Sequence, residues 1–540
     1  MLKQTFTRLL GLVPERSVGA AATALEQTPR SDTVTPPSAC PFAAQHGLKA
    51  MPKPAGMYPG IGSAIGTMTR YSPTNGHRMI MDRVSTLGRT YYDKIFDYEC
   101  VNVANPADAA TVFRNEGKYP VRPELEAWKY PRDQMGIPLG IVLADGDLWY
   151  SYRRAMDRQL MMYSNLHKYV PALNEIASDH IQILLKNQAR NPQRYIHDLK
   201  HEQFRWSLES TSRFLYDKRL GCLRLDSDPP EDIRQFANAV DVMFQTSQIL
   251  AVMSTTTARF LAPVTLWKHN RAWKTIFRIG RQHVETKIAE IRQAEKEGRL
   301  DEMAADGGFM LTLLDEQRRS ARGRDVKLNI DQVYCNAIEI MAAGVDTVAT
   351  SQQWLMHLLA INPDKQERLR QELAPVKEGM ITPQFLTSPQ SSYLKACVKE
   401  SLRLRPVLIG TARVLDRDVV VGGYTVPKGT FINILDFIMS TDEKNFPNAH
   451  KYMPERWLTR NQEEKAEKAK AHNFSSLPFG FGPRMCVGRR FAETEMYILT
   501  SRIVRDYKIV DMNNHLIEPS TNMLMMPKEP VKIRFEKLNQ

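Results

Sequence analysis

The sequence predicts a mainly α-helical protein with a minor β-sheet portion, and three observations carry that expectation. Helical hydrophobic patterns dominate beyond residue 105. Strand-like alternation is confined to Tyr91–Val103, Asp418–Val426 and Val531–Phe535. One long segment, Asp331–Ala360, is apolar around most of its circumference, which places a helix inside a core. An apolar content of 43% over 540 residues supplies a core of that size, and no internal repeat is visible.

The elements follow in order. Met51–Gly66, rich in Pro and Gly, reads as turns entering the folded part. Tyr91–Val103 alternates as strands do, and Asn105-Pro106 opens a helix over Pro106–Arg114. Trp149 and Arg153 stand at i, i+4 on one helix face, where an indole N–H and a guanidinium reach one anion. Asn362-Pro363 ends the helix of Asp331–Ala360. In its middle, Ala343-Gly344-Val345-Asp346-Thr347 sets a glycine, an acid and a hydroxyl where none helps a helix, and a broken local rule of this kind marks a functional site. Tyr393–Pro406 is helical in pattern, with Glu400 and Arg403 at i, i+3. A last helix begins at Gly488.

Composition narrows the function classes. The chain carries 73 Lys plus Arg against 60 Asp plus Glu, a net charge of +13, but no nucleic-acid motif or aromatic-basic stripe accompanies it. The six cysteines form no C-x-x-C pair, so reduced thiols are expected, with Cys335 and Cys397 as small core residues. Met1–Val13 carries Lys3 and Arg8 with no acid before Glu15, and no run reaches the ~18 apolar residues of a membrane span. Residues 1–40 therefore read as a mitochondrial presequence and disordered leader, and 41–540 as one domain.

The most specific chemistry lies at Phe479–Gly488, where Cys486 stands between glycines and an arginine just ahead of a helix. The helix N-terminus aims N–H groups and a positive dipole end at the thiol, which favours the thiolate, the ligating form. Gly482 and Gly488 let the backbone turn and lie close to a flat partner, and Arg484 offers a rigid fork to a carboxylate. A haem has both a face and propionates.

Phe479, Gly482, Arg484, Cys486 and Gly488 match F-x-x-G-x-R-x-C-x-G, and the chain thereby resembles the cytochrome P-450 haem-thiolate monooxygenases. The resemblance implies a helix-rich fold with haem b between a long central helix and the cysteine loop, and Cys486 as axial iron ligand, whose electron donation favours O–O cleavage. It extends to the E-x-x-R helix at Glu400 and Arg403 and to Pro454-Glu455-Arg456-Trp457, similar to P-E-R-F, implying a structural Glu400–Arg403–Arg456 network that holds the cysteine loop. Ala343, Gly344, Asp346 and Thr347 resemble the oxygen-binding segment A-G-x-D/E-T-T/S, in which acid and threonine relay protons to dioxygen; Val348 departs from it. Trp149 and Arg153 look like the W-x-x-x-R propionate clamp, and Arg413 matches a further propionate arginine.

Lys395 and Lys399, with Arg489 and Arg490, resemble the mitochondrial class of animal cytochromes P-450, in which such cations dock an acidic [2Fe–2S] ferredoxin that is reduced by NADPH-ferredoxin reductase. Phe260–Phe277, mixing Leu261, Val264, Leu266, Trp267, Trp273 and Ile276 with Arg259, Lys268, Arg271 and Lys274, lies where the family has a lid over the substrate, and suits peripheral contact with the matrix side of the inner membrane. Substrate contacts implied by resemblance are Trp128–Leu143, the Ala343 segment, Val407–Gly410 and Met523–Met526. The expected activity is hydroxylation of a lipophilic, steroid- or sterol-like molecule. Small foreign compounds are the alternative substrates. A non-catalytic haem-thiolate sensor or carrier and a peroxide-rearranging enzyme are the alternative classes.

Overall fold

The computed structural model describes residues 46–306, 308–321, 328–376, 380–458 and 472–538, so the leader expected over residues 1–40 lies outside them. The hairpin anticipated at Tyr91–Val103 is present as β1 (Thr90–Ile95) and β2 (Tyr98–Val103), antiparallel with Ile95 opposite Tyr98. Asn105 accepts the N–H of Ala107 and caps α1 (Pro106–Arg114), with Pro106 in the first turn where its missing N–H costs nothing. The helices that frame the interior are α2 (Glu126–Met135), α3 (Gly146–Leu160), α4 (Leu199–Tyr216), α5 (Glu231–Leu250), α6 (Pro263–Lys296), α7 (Ile330–Ala360), α8 (Ser392–Leu404) and α9 (Arg489–Asp506).

The core is organised by α7, which touches α4, α6, α8 and α9. Its start is fixed by a capping box: Asn329 accepts from the Gln332 N–H while the Gln332 side chain accepts from the Asn329 N–H. Val333, Ile338, Met341, Val345, Trp354, Leu355 and Leu359 are all buried, as its all-round apolarity requires.

Sheet structure exceeds the expectation. β3 (Thr411–Val414) and β4 (Phe431–Ile434) complete a four-stranded sheet in the order β1-β2-β4-β3, with β2 and β4 parallel. Each has four residues, too few for alternation to stand out, and the pairing partner of β4 lies far away in sequence. The 418–426 region is a hairpin turned at Gly422 and Gly423, whose φ values of 57° and 82° need glycine. Near the C-terminus, β5 (Tyr507–Asp511) pairs with β8 (Ile533–Lys537), and β6 (Pro519–Asn522) with β7 (Leu524–Pro527).

The segment Phe260–Phe277 divides between two environments. Leu266, Trp273, Ile276 and Phe277 are buried, whereas Phe260, Val264 and Trp267 are 81%, 64% and 57% exposed. Only this narrower apolar group, close to Arg259, Lys268 and Arg271, faces outward.

Where α6 crosses α7, Gly280 lies against Ile338; a Cβ built there would be 2.8 Å from Cγ1 and 3.0 Å from Cγ2. Gly280→Ala adds about 1 kcal/mol of helix propensity but forces the helices apart, at a cost of about 1–3 kcal/mol. We expect a net loss of stability in denaturant unfolding; an unchanged or raised midpoint would mean that the crossing yields freely.

Candidate cofactor and active site

Backbone geometry shapes the cysteine loop. Gly480 and Gly482 have φ of 70° and 77°, a region other residues enter at a cost. The loop closes on itself through Gly480 N to Leu477 O (2.8 Å), Met485 N to Gly482 O (3.1 Å) and Cys486 N to Phe479 O (2.8 Å). At Gly482 a side chain would strike the carboxylate of Glu116. Gly488 is different: its φ of −83° suits any residue, so its role is not the sharp turn expected but to cap α9 with nothing between its backbone and the sulfur.

Cys486 is the one exposed cysteine among the five described, yet burial is the largest influence on its thiol and pushes it up. Both hold for a sulfur facing a chamber inside the protein. The N–H of Gly488, Arg153, Arg122 and Arg489 pull the other way and favour the thiolate. Desolvation and the helix N-terminus therefore oppose one another at the sulfur, and a bound metal cation would add to the groups that favour the thiolate.

Cations cluster around the sulfur. Trp149 and Arg153 lie on α3 as expected, and Arg153 donates to the carbonyl of Met485, beside Cys486. Arg484 stacks over the Trp149 ring at 4.7 Å, pairs with Asp145, and donates to Pro120 O at 2.9 Å. Arg413 is 1% exposed and committed to Glu116, Thr411 Oγ1, Ala412 O and Phe481 O, so in this structure it braces the cysteine loop. Sequence reasoning passed over Arg122 and Glu116. Arg122 donates to Arg484 O at 2.9 Å and is pressed down to about 9 by burial and by Arg484 and Arg413, while the charge of Cys486 raises it. Its only sequence signal is an arginine between two prolines. The Nε atoms of Arg122 and Arg484 are buried without a hydrogen-bond partner among the described residues. One inward-facing sulfur and several guanidinium groups with unspent donors fit a thiolate-bound metal macrocycle that carries carboxylates.

The Glu400 network is complete. Arg403 grips the carboxylate through Nε (2.9 Å) and Nη2 (2.8 Å), and Arg456 Nε (2.9 Å), Trp457 Nε1 (2.9 Å) and Met453 N (3.0 Å) fill its other lone pairs. Arg403 spends Nη1 on Ser440 O and Ala449 O. Glu400 and Arg403 are fully buried, so loss of one member would strand a charge at about 3–5 kcal/mol. The described partners beyond the pair itself lie in 440–457 and not in the cysteine loop. Asp436 supplies a closer link by accepting from Leu477 N, just ahead of the loop.

On α7, Ala343 is exposed although its helix is otherwise almost wholly buried, and Thr347, one turn on, shares that face. Accessible surface inside a core marks a chamber wall. Thr347 Oγ1 donates to Ala343 O at 2.8 Å, and Gly344 lets Thr211 of α4 approach to 3.4 Å of where a Cβ would stand. Asp346 lies on another face, 1% exposed, with both oxygens unpartnered among the described residues. Burial raises it to about 6, opposed by Lys200, which Asp241 holds at 2.6 Å. The acid and the hydroxyl are thus not adjacent in space in the way that their adjacency in sequence suggests. Val348 is buried and apolar.

Two of the anticipated substrate stretches meet: Met525 N donates to Val407 O at 2.7 Å, and Trp354 of α7 donates to Met525 O at 2.9 Å. Leu408 is 45% exposed beside them. Of the anticipated docking cations, Arg489 and Arg490 share Glu493 at 2.9 and 3.4 Å, Lys395 is half-buried, and Lys399 rests on the Trp457 ring at 3.9 Å.

The buried carboxylate makes a linkage prediction. A carboxyl raised from 3.8 to about 6 binds protons more tightly folded than unfolded, so its cost is absent below pH 3.8, small at pH 4, grows as pH rises towards 6 and is full above it. Asp346→Asn is expected to stabilise the protein by about 3 kcal/mol at pH 7.5 and by well under about 1 kcal/mol at pH 4. Unfolding midpoints at the two pH values check this.

Comparison with known proteins agrees with this geometry. The family model described as Cytochrome P-450 matches residues 52–535. The chain is 31% identical over 468 residues to the cholesterol side-chain cleavage enzyme, mitochondrial, of Oncorhynchus mykiss, covering 86% of each chain. It is 30% identical over 469 residues to the sterol 26-hydroxylase, mitochondrial, of Mus musculus, covering 85% of each. It is 28% identical over 525 residues to the 1,25-dihydroxyvitamin D(3) 24-hydroxylase, mitochondrial, of Rattus norvegicus, covering 97% of this chain and 95% of the relative. With an inward cysteine, a ring of guanidinium groups and a core helix open on one face, the chain belongs to the cytochrome P-450 monooxygenase family.

Proposed function

We propose that the chain is a haem b enzyme that hydroxylates a sterol-like substrate, using dioxygen and electrons passed from NADPH through ferredoxin reductase and a mitochondrial [2Fe–2S] ferredoxin. The observation that carries this reading is the interior exposure of Cys486 and of Ala343 on α7, with the cations beside the sulfur and apolar side chains elsewhere. Bound haem supplies activation of dioxygen and transfer of one oxygen atom. Cys486 would hold the iron; Trp149, Arg153 and Arg484, joined by Arg122, would answer the propionates, with Arg413 bracing the loop through Glu116 and Phe481 O; Phe479, Gly482 and Gly488 keep the loop close.

Asp346 is assigned proton supply: at about 6 it both holds and releases a proton near neutral pH, with Lys200 and Asp241 leading outward. Thr347 offers its hydroxyl at the chamber wall, and Ala343 and Gly344 leave room beside it. The Glu400–Arg403–Arg456 network fixes the 440–457 segment. The substrate class is supported by the names of the relatives, which cleave or hydroxylate cholesterol, sterols and vitamin D, and by the apolar stretches around Val407 and Met525.

The relatives are mitochondrial, and we assign the chain to the matrix side of the inner membrane as one domain over 41–540 behind a presequence. No helix among the described residues is long and apolar enough to cross a membrane. Phe260, Val264 and Trp267, flanked by basic residues, give a peripheral contact. Lys395, Lys399, Arg489 and Arg490 receive the ferredoxin; Glu493 answers part of the arginine charge and leaves the patch net positive.

Titrating the ferric haem protein with steroids, sterols and small lipophilic compounds, and following the Soret spin-state shift, tests the substrate class. A saturable shift confined to sterol-like ligands is expected; weak shifts across many small compounds would favour a detoxifying enzyme. Lys395→Glu with Lys399→Glu is expected to lower ferredoxin-supported turnover at least about tenfold, more at low salt than at high, because the interaction is screened over about 10 Å at 0.1 M. Unchanged turnover would remove the ferredoxin assignment. Product formation coupled to NADPH separates an enzyme from a haem-thiolate sensor or carrier.

A further inference from the structure

Between α2 and α7 lies a charge cluster that the assignments above leave unused. Arg132 and Glu339 are 0% and 1% exposed and pair at 2.9 Å. The guanidinium lies over two rings of α6, Trp273 at 4.0 Å and Phe277 at 5.2 Å. Glu339 also accepts the N–H of Gly140 (3.3 Å) and of Val142 (3.0 Å). One turn earlier, Asn336 Oδ1 accepts the N–H of Ile141 at 2.8 Å while its amide donates to Gln332 O at 2.8 Å. Three consecutive amides of a connecting loop therefore end on two side chains of the central helix. The approach depends on Gly140, where a Cβ would collide with the Glu339 carboxylate.

A connecting loop usually gives its amides to water or to itself, and stays adaptable as a result. This one is tied to α7 at every residue from 140 to 142. It carries Leu139, Val142 and Leu143, partly buried against the main core. Glu339 and Ala343 stand at i, i+4, so the tie lies one turn from the open face of α7. Stability alone does not account for an ion pair here, since apolar residues of similar volume usually serve a core as well or better. What the pair adds is direction: a carboxylate fixed by a guanidinium packed on two aromatic rings presents its lone pairs at set angles to the loop.

We propose that Glu339 is a positioning residue for substrate selection, which with Arg132, Asn336 and Gly140 fixes 139–143 as a rigid apolar wall and so sets the size of molecule that fits beside Ala343. This rests on the reading that the chamber beside Ala343 takes the substrate. Glu339→Gln removes the charge that holds Arg132, and Gly140→Ala displaces the loop while leaving every charge in place.

The test uses the haem-loaded enzyme and three readouts. Spectral titration with cholesterol measures the large ligand, titration with imidazole measures a small one that binds iron directly, and hydrogen–deuterium exchange follows the 140–142 amides. Both variants are expected to bind cholesterol about tenfold more weakly and imidazole within about threefold of the unaltered enzyme, with the amides exchanging at least about tenfold faster. Faster exchange with cholesterol binding unchanged overturns the proposal, and so does unchanged exchange in both variants. Failure of the unaltered enzyme to respond to cholesterol or any other sterol overturns the chamber reading and the proposal with it. If Glu339→Gln yields no holoprotein, Gly140→Ala decides alone.

Discussion

Charge placed out of reach of water has to be answered by other charge or by the backbone, and this molecule is arranged around that requirement. The cost of an unanswered buried ion is several kcal/mol, comparable with the whole stability of a domain. The Glu400 carboxylate meets the requirement with five donors, Glu339 with one guanidinium and two amides, and Glu116 with Arg413. Each answer joins segments far apart in sequence, so the same hydrogen bonds that neutralise the charge also fix the chain's path. The site inherits its geometry from these ties.

Asp346 is the exception that gives the arrangement chemical content. It is as buried as the others but lacks a direct partner among the described residues, and burial raises its proton affinity towards neutrality, as it does for Asp436, which keeps one backbone donor. The same desolvation that would be a fault elsewhere makes it a proton store. At Cys486 burial also raises the thiol, and there the N–H of Gly488 and the neighbouring guanidinium groups oppose it, as a bound metal cation would. Acid and thiol illustrate one physical effect put to two uses.

Local spacing made much of this legible in the chain. The run from Phe479 to Gly488, the i, i+3 relation of Glu400 and Arg403, and the all-round apolarity of α7 all live within a few turns, where periodicity speaks directly. What stayed hidden depends on pairing across long separations. β3 and β4 are too short to alternate visibly, Glu116 and Arg122 are ordinary loop-region residues until Arg413 and Arg484 come beside them, and Arg132 meets Glu339 only after α2 and α7 pack. Asp346 and Thr347 diverge for a different reason: adjacency in sequence puts them about 100° apart around the helix, and they acquire different neighbours.

Trp457 connects the outer surface to the buried network. One face of its indole carries the Lys399 ammonium and its N–H ends on Glu400. Indole emission responds to a cation on the ring and to its hydrogen bond, so this side chain is a built-in optical probe. An acidic protein that draws Lys399 away from the ring alters the light from Trp457 before any electron moves. Arrival of a partner is therefore observable separately from catalysis, on a time base set by diffusion and without a label attached to either protein.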